Sequence, residues 1–236
     1  LSPEVSAHVG LGSNACLMTA ICYSINALYN NPLTTTSIIK LIGSNFAECY
    51  EDKCVYGLDT GIAPSVTIMG GFTLVSLESL VVWHNNFDFI PNVFLINPKV
   101  QRPAFEGSED DGMLKRSLYE DLKSRGNKVY EILMDLLPAI EKKNLNKIGE
   151  IIWNIQFSGT HLSMIQSYGS FGAEIYSLLG ELKSRGIEMV GISSVGPSIY
   201  LCTSDRNKAI EYLNYKNIEY IETQIESNHL MPIIIN

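Results

Sequence analysis

The chain has 236 residues, which is enough for one large domain or for two small ones that share a cleft. Hydrophobic residues make up 46% of it and charged residues 18%, a composition that excludes a disordered or collagen-like protein. The formal net charge is −8, so the sequence offers no basic surface for nucleic acid. We therefore expect a globular protein with a sizeable core and no DNA or RNA partner.

Membrane and disulfide signals are absent from the sequence. No apolar run reaches the roughly 20 residues that span a bilayer, and residues 1–4 lack the basic flank and apolar core of a signal peptide. We expect a cytoplasmic protein that does not bind membranes. The five cysteines are odd in number and lie mostly in apolar segments, which predicts reduced packing residues rather than a disulfide framework.

The first half of the chain combines helical patterns with glycine-rich stretches. Apolar residues recur every three or four positions from Ala15 to Asn30, which predicts a buried helix. Threonines at 34–36 offer N-cap hydroxyls for a second helix that ends at Gly43. The glycines of residues 57–71 predict a loop, and the aromatic and β-branched residues of 72–77 predict a strand after it.

The second half predicts a defined order of strands and helices. The predicted strands are Asn92–Asn97, Glu188–Ile192, Ile199–Thr203 and Glu219–Ile225. The predicted helices are Glu109–Ser124, Val129–Leu137, Ala139–Ile152, His161–Lys183 and a helix that Asp205 caps and that runs to Tyr215. The order strand, helices, strand, strand, helix, strand is the split βαβ pattern of a ferredoxin-like domain. We therefore expect an α+β protein with an N-terminal lobe at 1–88 and a ferredoxin-like lobe at 89–236.

A glycine loop directly before the first predicted helix is the first candidate site. It reads Gly10-Leu11-Gly12-Ser13-Asn14, and its two glycines allow the backbone N–H groups to turn inward at a helix N-terminus. This arrangement favours a bound phosphate. The alternative is an ordinary glycine turn that enters a helix, and the spacing alone does not separate the two.

Two later segments and two charged side chains are further candidates. Ser193, Ser194, Gly196 and Ser198 form a turn between two strands that can line a ligand or serve only as a hairpin turn. Thr60 and Gly61 follow Asp59, which is a candidate catalytic or metal-binding acid or a simple turn residue. Arg102 is a candidate clamp for a phosphate or carboxylate, with a surface arginine as the alternative. No spacing of His, Cys, Asp and Glu predicts a zinc site.

Taken together, three segments resemble the GHMP superfamily, named for galactokinase, homoserine kinase, mevalonate kinase and phosphomevalonate kinase. They are the glycine loop Gly10–Asn14, the glycine segment that ends in Gly70-Gly71-Phe72, and the turn Ser193–Ser198. The resemblance covers nearly the whole chain and implies a first loop that cradles phosphates and a ferredoxin-like half that closes over them. The superfamily's opening strands have no counterpart here, so we expect that an N-terminal segment is missing ahead of Leu1.

One branch of the superfamily is more similar to this sequence than the kinases are. Many of those kinases place a catalytic Asp directly after a Gly-Ile pair, whereas Gly61-Ile62 is followed here by Ala63. The segment 60–72 instead resembles the β-ribofuranosylaminobenzene 5′-phosphate synthase family. The same family is matched by the loop Val9–Ser13, by the turn at 193–200 and by Gln166, Gly169 and Glu174.

The resemblance implies a transferase that joins phosphoribosyl pyrophosphate to 4-hydroxybenzoate or 4-aminobenzoate. It would release pyrophosphate and carbon dioxide, use Mg²⁺ with the pyrophosphate, and serve the synthesis of a tetrahydromethanopterin-type C1 carrier. The residues it assigns to phosphate or substrate are Gly10, Leu11, Gly12, Ser13, Asn14, Thr60, Gly61, Ser193, Ser194, Gly196 and Ser198. The alternatives are an ATP-dependent small-molecule kinase and an inert protein that binds a phosphorylated ligand, and a homodimer stays open.

Overall fold

The computed structural model describes residues 10–44, 47–50, 53–56, 60–76, 78–98, 121–194 and 196–227. Its helices are α1 Ser13–Leu28, α2 Thr35–Gly43, α3 Ile62–Met69, α4 121–130, α5 Leu137–Glu141, α6 Leu145–Gln156, α7 Thr160–Ser167, α8 Ser170–Ser184 and α9 Arg206–Tyr215. Its strands are β1 Ala47–Tyr50, β2 Lys53–Tyr56, β3 Phe72–Val75, β4 Val81–Asn85, β5 Asn92–Ile96, β6 Met189–Ile192, β7 Ile199–Thr203 and β8 Ile221–Thr223. Among the described residues no helix combines the length and the apolar character needed to cross a membrane.

Side-chain caps fix where several helices begin. The Thr34 hydroxyl accepts a hydrogen bond from the Ser37 N–H at the start of α2, and the Asp205 carboxylate accepts one from the Lys208 N–H at the start of α9. Both caps satisfy backbone donors that a helix leaves unpaired in its first turn. The predicted starts of these two helices are confirmed.

The second half contains a four-stranded antiparallel sheet in the order β6-β7-β5-β8. The first strand of this half lies at the centre, where β5 pairs with β7 on one side and with β8 on the other. Counted within the half, the strand order is 4-1-3-2, which is the order of a ferredoxin-like domain. The predicted split βαβ pattern is confirmed.

The two faces of this sheet bury two different cores. On one face, Phe94 and Leu201 pack against helices α7, α8 and α9. On the other face, Val93 packs with residues of α5 and α6 and with Phe87 and Trp83 of the first half. The second core therefore joins the β3–β4 hairpin to the sheet across the predicted boundary at residue 88.

An edge of the sheet is closed by a side chain rather than by another strand. Gln156 of α6 is 5% exposed, donates through Nε2 to the carbonyl of Val190 and accepts through Oε1 from the N–H of Ile192. Nearby, a Cβ on Gly149 would collide with the carbonyl oxygen of Glu188. Glycine at this position lets α6 pack directly on the β6 backbone, so that the edge groups of β6 are satisfied.

The first half departs from the sequence-based prediction at α3. The predicted loop over residues 57–71 contains the apolar helix Ile62–Met69, and residues 57–59 lie outside the described part. Gly61 adopts a left-handed conformation as the N-cap and Gly70 closes the C-terminus, so the glycines end a helix instead of replacing it. The β1–β2 hairpin and strand β4 were also not predicted.

The helices of the second half break at other places than predicted. The chain is helical without interruption over 121–141, with a π-helical segment at Glu131–Leu136 just before Pro138. Proline has no backbone N–H to donate, and its ring clashes with a carbonyl of the preceding turn, so the α-helical hydrogen-bond pattern is interrupted just before it. The predicted single helix His161–Lys183 is divided in two by Gly169, whose φ is +60°. Residues 109–120 lie outside the described part.

Helix α1 is confirmed as a helix, but the prediction that it is buried is wrong. Its Met18 and Cys22 side packs on the core of α2 and α3. Leu17, Ile21 and Ile25 line the adjacent side and are 46–50% exposed. The helix is apolar on several faces, and the described residues cover one of them.

Candidate anion-binding site

The glycine loop that precedes α1 adopts conformations that favour glycine. Gly10 has a φ of +84°, and Gly12, the N-cap of α1, has φ +67° and ψ +23°. Residues with a Cβ atom are strained in this left-handed backbone region, whereas glycine, which has no Cβ, is not. The two glycines therefore shape the loop, as the sequence suggested.

The loop is held directly against the turn at residues 193–198. The hydroxyl of Ser193 donates a hydrogen bond of 2.7 Å to the carbonyl oxygen of Gly10. A Cβ on Gly10 would collide with the carbonyl oxygen of Ser193 and would lie 2.9 Å from that of Gly196. The two candidate segments therefore form one continuous surface, although they lie far apart in the chain.

Backbone hydrogen bonds shape the turn itself. The Ser193 N–H donates to the Ser198 carbonyl at 2.8 Å, and the Gly196 N–H donates to the Ser193 carbonyl at 2.9 Å. Ser194 is exposed and has a φ of +53°, whereas Gly196 and Ser198 are buried. The turn therefore presents Ser193 to the glycine loop and Ser194 to solvent.

Helices α1 and α3 lie side by side and run in the same direction. A Cβ on Gly12 would lie 3.6 Å from the Ala63 methyl, and four residues further along each helix Cys16 Sγ lies 3.1 Å from Thr67 Oγ1. Two contacts with the same offset in both helices define a parallel pair. The N-termini of α1 and α3 therefore point to the same place.

The start of α3 is fixed by close packing around Gly61. Gly61 is buried with a φ of +75°, and a Cβ there would come within 2.5 Å of Ser79 Cβ. Ser79 Oγ donates to the Thr60 carbonyl at 3.2 Å, and Ser65 Oγ donates to the Gly61 carbonyl at 2.5 Å. These contacts hold the N-terminus of α3 beside Gly12.

The electrostatics of this corner favour a bound anion. Neither Gly12 nor Gly61 can supply a side-chain cap, and neither helix has an acidic residue in its first turn. Each helix N-terminus carries about half a positive charge, so two parallel N-termini repel one another unless an anion lies between them. A phosphate or pyrophosphate group has the charge and the acceptor oxygens for this position.

The predicted site residues separate into those that the structure brings together and those that it does not. Gly10 and Ser193 are in direct contact, and Gly12 and Gly61 are the N-caps of the neighbouring helices α1 and α3. Leu11 and Ser13 are half-buried beside it, and Asn14, Thr60 and Ser194 are exposed. Asp59 and Arg102 lie outside the described residues. Gln166 and Glu174 are exposed, and Gly169 is the N-cap of α8.

Two titratable side chains of strand β7, Tyr200 and Cys202, are not ionised bases. Desolvation raises the pKa of the Tyr200 phenol, and burial raises the pKa of the Cys202 thiol to about 12. Both are therefore uncharged at neutral pH. In the described part of the chain, no group of three or more His, Cys, Asp and Glu side chains is placed to hold a metal ion.

Asn97, which follows β5 at the same end of the sheet as the turn, is a further candidate residue that no sequence motif marks. Its Oδ1 is buried and has no hydrogen-bond partner among the described residues, and the same is true of Ser198 Oγ. The signal was present in the predicted strands, because pairing β5 with β7 brings residue 97 next to residue 198. Strand register, which the sequence alone did not provide, was needed to see it.

Comparison with known proteins identifies relatives by sequence and by structure. No protein-family model matches the chain. It is 24% identical over 228 residues to a β-ribofuranosylphenol 5′-phosphate synthase of Archaeoglobus fulgidus, a match that covers 88% of this chain and 65% of that protein. The protein of the same name from Methanocaldococcus jannaschii is 25% identical, with 88% and 63% covered. The chain thus spans slightly less than two thirds of the length of these relatives.

Solved structures decide the fold. A homoserine kinase from Cytophaga hutchinsonii superimposes with a TM-score of 0.61 at 16% identity, covering 95% of this chain and 69% of the kinase. The mevalonate diphosphate decarboxylase of Enterococcus faecalis gives a TM-score of 0.62 at 17% identity, with 95% and 68% covered. The chain has the GHMP-type fold. In this GHMP-type fold the glycine loop of α1 meets the turn of the ferredoxin-like half, and the predicted α+β fold class is confirmed.

Proposed function

We propose that the protein is a transferase of the β-ribofuranosylphenol 5′-phosphate synthase type. It would join phosphoribosyl pyrophosphate to 4-hydroxybenzoate or 4-aminobenzoate in the synthesis of a tetrahydromethanopterin-type C1 carrier. The observation that carries the proposal is the similarity to two proteins of that name over 88% of the chain. Because their name specifies a phenol, we place 4-hydroxybenzoate first.

The paired helix N-termini suit a pyrophosphate substrate. Transfer of the ribosyl group breaks the bond between its anomeric carbon and the pyrophosphate oxygen, so negative charge grows on the departing group. Preorganised N–H groups and helix dipoles stabilise such charge without reorganising. The corner between Gly12 and Ala63 is where this chain would hold a phosphate group of the substrate.

The reaction needs no strong base, and this agrees with Ala63. The ring carbon that bears the carboxylate attacks the anomeric carbon, and the bond to the carboxylate then breaks. Carbon dioxide leaves, and its bonding electrons restore the aromatic ring. No proton has to be taken from a hydroxyl, so a methyl group beside Gly12 is compatible with the chemistry.

We also propose that Mg²⁺ enters with the pyrophosphate. Mg²⁺ commonly binds through substrate phosphates and only one or two protein carboxylates, and when bound it would neutralise charge on the leaving group. This mode fits a site whose described residues offer backbone N–H groups and hydroxyls such as Ser193 rather than an acidic cluster.

A second candidate function is an ATP-dependent small-molecule kinase. It is favoured by the solved structures with this fold, which include homoserine, mevalonate and galactose kinases. A kinase needs a base for the substrate hydroxyl, and residue 63, beside the glycine loop, is an alanine. Asp59 would have to serve instead, and it lies outside the described residues. A protein that only binds a phosphorylated ligand is the third candidate.

One incubation separates the three. The protein is mixed with phosphoribosyl pyrophosphate, Mg²⁺ and 4-hydroxybenzoate labelled in its carboxyl group, with 4-aminobenzoate in parallel. Release of labelled carbon dioxide together with equal pyrophosphate supports the synthase. ATP-dependent phosphorylation of homoserine, mevalonate or galactose with no carbon dioxide released would put the kinase first. Ligand binding without either reaction would favour the third candidate.

A further inference from the structure

Two buried oxygen atoms at one end of the ferredoxin-like sheet have no hydrogen-bond partner among the described residues. They are Oγ of Ser198, a residue that is fully buried at 0% exposure, and Oδ1 of Asn97. Buried polar atoms in folded proteins are almost always paired, so each exception needs an explanation. Two exceptions close together point to a shared partner.

The strand register places these atoms opposite one another. Ile96 of β5 pairs with Ile199 of β7, so the next residues along the two antiparallel strands are Asn97 and Ser198. Residues directly opposite in an antiparallel pair have side chains on the same face of the sheet, with Cβ atoms about 5 Å apart. Asn97 and Ser198 therefore lie on one face at the end of the sheet.

This end of the sheet adjoins the anion-binding site. The Ser198 carbonyl accepts from the Ser193 N–H at 2.8 Å, and the Ser193 hydroxyl in turn donates to Gly10 of the glycine loop. Two consecutive hydrogen bonds through Ser193 thus link Ser198 to the glycine loop. A ligand whose phosphate occupies the loop would extend its next few atoms toward Asn97 and Ser198.

The chemistry of the two oxygens specifies what they lack. An amide oxygen only accepts hydrogen bonds, and a serine hydroxyl can accept or donate. A phosphate that is fully ionised supplies no donor, so it does not satisfy Asn97. The missing partner is a hydroxyl or another N–H or O–H donor.

We propose that Asn97 and Ser198 bind a hydroxyl of the sugar that carries the phosphate, as specificity residues for a ribosyl phosphate. This deepens the proposed function and rests on it. The sugar hydroxyls are the donors joined most closely to a phosphate in that substrate class. The phenol hydroxyl of 4-hydroxybenzoate is the other source of the same chemistry, and the experiment separates the two.

Calorimetric titration tests the assignment with three probes. Ribose 5-phosphate, inorganic phosphate and 4-hydroxybenzoate are each titrated into wild type, Asn97→Leu and Ser198→Ala. We expect both variants to bind ribose 5-phosphate roughly 5- to 10-fold more weakly, which is the effect of one lost hydrogen bond. Affinity for inorganic phosphate should not change, because the glycine loop is intact.

Leucine at residue 97 also distinguishes a ligand contact from a structural role. It keeps the size of asparagine and removes an unpaired acceptor, so the melting temperature without ligand should stay the same or rise. The matched control is Asn92→Leu, at the other end of β5, where Asn92 Nδ2 donates to the Thr203 carbonyl at 2.9 Å. That variant should melt at a lower temperature and keep wild-type affinity for ribose 5-phosphate.

Several outcomes would overturn the inference. Wild type that fails to bind ribose 5-phosphate, or variants that bind it normally, would refute the sugar contact. A loss confined to 4-hydroxybenzoate would assign the pair to the phenol instead. The titrations involve no turnover, so they are independent of the carbon dioxide assay. A protein that releases no carbon dioxide but loses ribose 5-phosphate on Asn97→Leu would retain this inference and lose the proposed function.

Discussion

The Ser193 hydroxyl donates to the Gly10 carbonyl at 2.7 Å and joins two residues 183 positions apart in the chain. This hydrogen bond connects the loop that begins α1 to the turn between β6 and β7. The candidate anion-binding site therefore depends on both halves of the GHMP-type fold. A substitution in the loop before α1 should therefore disturb the turn between β6 and β7, and a substitution in the turn should disturb the loop.

Ser193→Ala removes this hydrogen bond, and Gly10→Ala drives a methyl group into the Ser193 carbonyl. We expect Ser193→Ala to cost about 1 kcal/mol of unfolding free energy. Gly10→Ala should cost about 2 kcal/mol or more, because it adds a clash to a strained φ. Urea denaturation measures both, and the reverse order would show that the loop and the turn do not pack as described.

Gly12→Ala tests the N-terminus of α1. The added methyl has room, since Ala63 would lie 3.6 Å away, but the left-handed φ of +67° is costly for alanine. We expect weaker binding of inorganic phosphate and about 1 kcal/mol lower stability. Gly180→Ala is the control, because Gly180 is inside α8 with open space around it. That change should stabilise the helix by up to about 1 kcal/mol without altering phosphate affinity.

Ala63→Asp places a carboxylate beside Gly12 in the first turn of α3. The positive end of the α3 dipole stabilises the new carboxylate, but the carboxylate repels a phosphate bound at the same N-terminus. We expect affinity for inorganic phosphate to fall at least several-fold and transferase activity to be unchanged or lower. Ala63→Asn is the neutral control of similar size. Transferase activity raised by the aspartate would contradict the view that the reaction needs no base here.

Gln156→Leu opens the closed edge of β6. The substitution leaves the Val190 carbonyl and the Ile192 N–H buried without partners, which should cost about 2–3 kcal/mol. Gln166→Leu on the exposed surface of α7 is the matched control and should change stability by less than about 0.5 kcal/mol. Equal effects of the two changes on the urea midpoint would refute the edge role of Gln156.

Glu188 should make stability depend on acid. Burial would raise the pKa of its carboxyl, but hydrogen bonds from Ser204 and Thr203 outweigh burial and lower it below 4.5. A carboxyl whose pKa is lower in the folded state than in the unfolded state stabilises the fold at pH values above its unfolded-state pKa. This stabilisation is lost as the pH falls through the folded-state pKa. We expect Glu188→Gln to be about 1 kcal/mol less stable at pH 7. The difference in unfolding free energy between Glu188→Gln and wild type should become smaller below pH 4.5. A difference that does not change with pH would exclude a role for the carboxylate charge.

Much of the fold could be predicted from the sequence, because helix caps and apolar periodicity depend on residues that are close together in the chain. Thr34 and Asp205 marked helix starts, and the strands β5, β6, β7 and β8 lie where their composition placed them. Helix α3 was not predicted because glycines such as its N-cap Gly61 and its C-cap Gly70 are also typical of loops. The exposure of Leu17 could not be predicted, since periodicity shows which faces are apolar and not which faces are covered.

The candidate site was predictable in its parts and not in its assembly. The glycine loop and the serine turn each carried a recognisable composition. Their contact depends on tertiary packing between the halves, and the place of Asn97 opposite Ser198 depends on strand register. The parallel arrangement of α1 and α3 has no local signal, because it follows from the contacts of Gly12 and Cys16 with another helix.

The central position of β5 has a consequence for how the protein is made. Asn92 of this strand bonds to Thr203, 111 residues later, and β8 follows later still. At the usual 5–20 residues per second, a ribosome needs roughly 6–22 s to synthesise the intervening chain. During that time Val93, Phe94 and Ile96 have no strand partners in the nascent chain. The middle strand of the sheet is thus synthesised before either of the strands that pair with it.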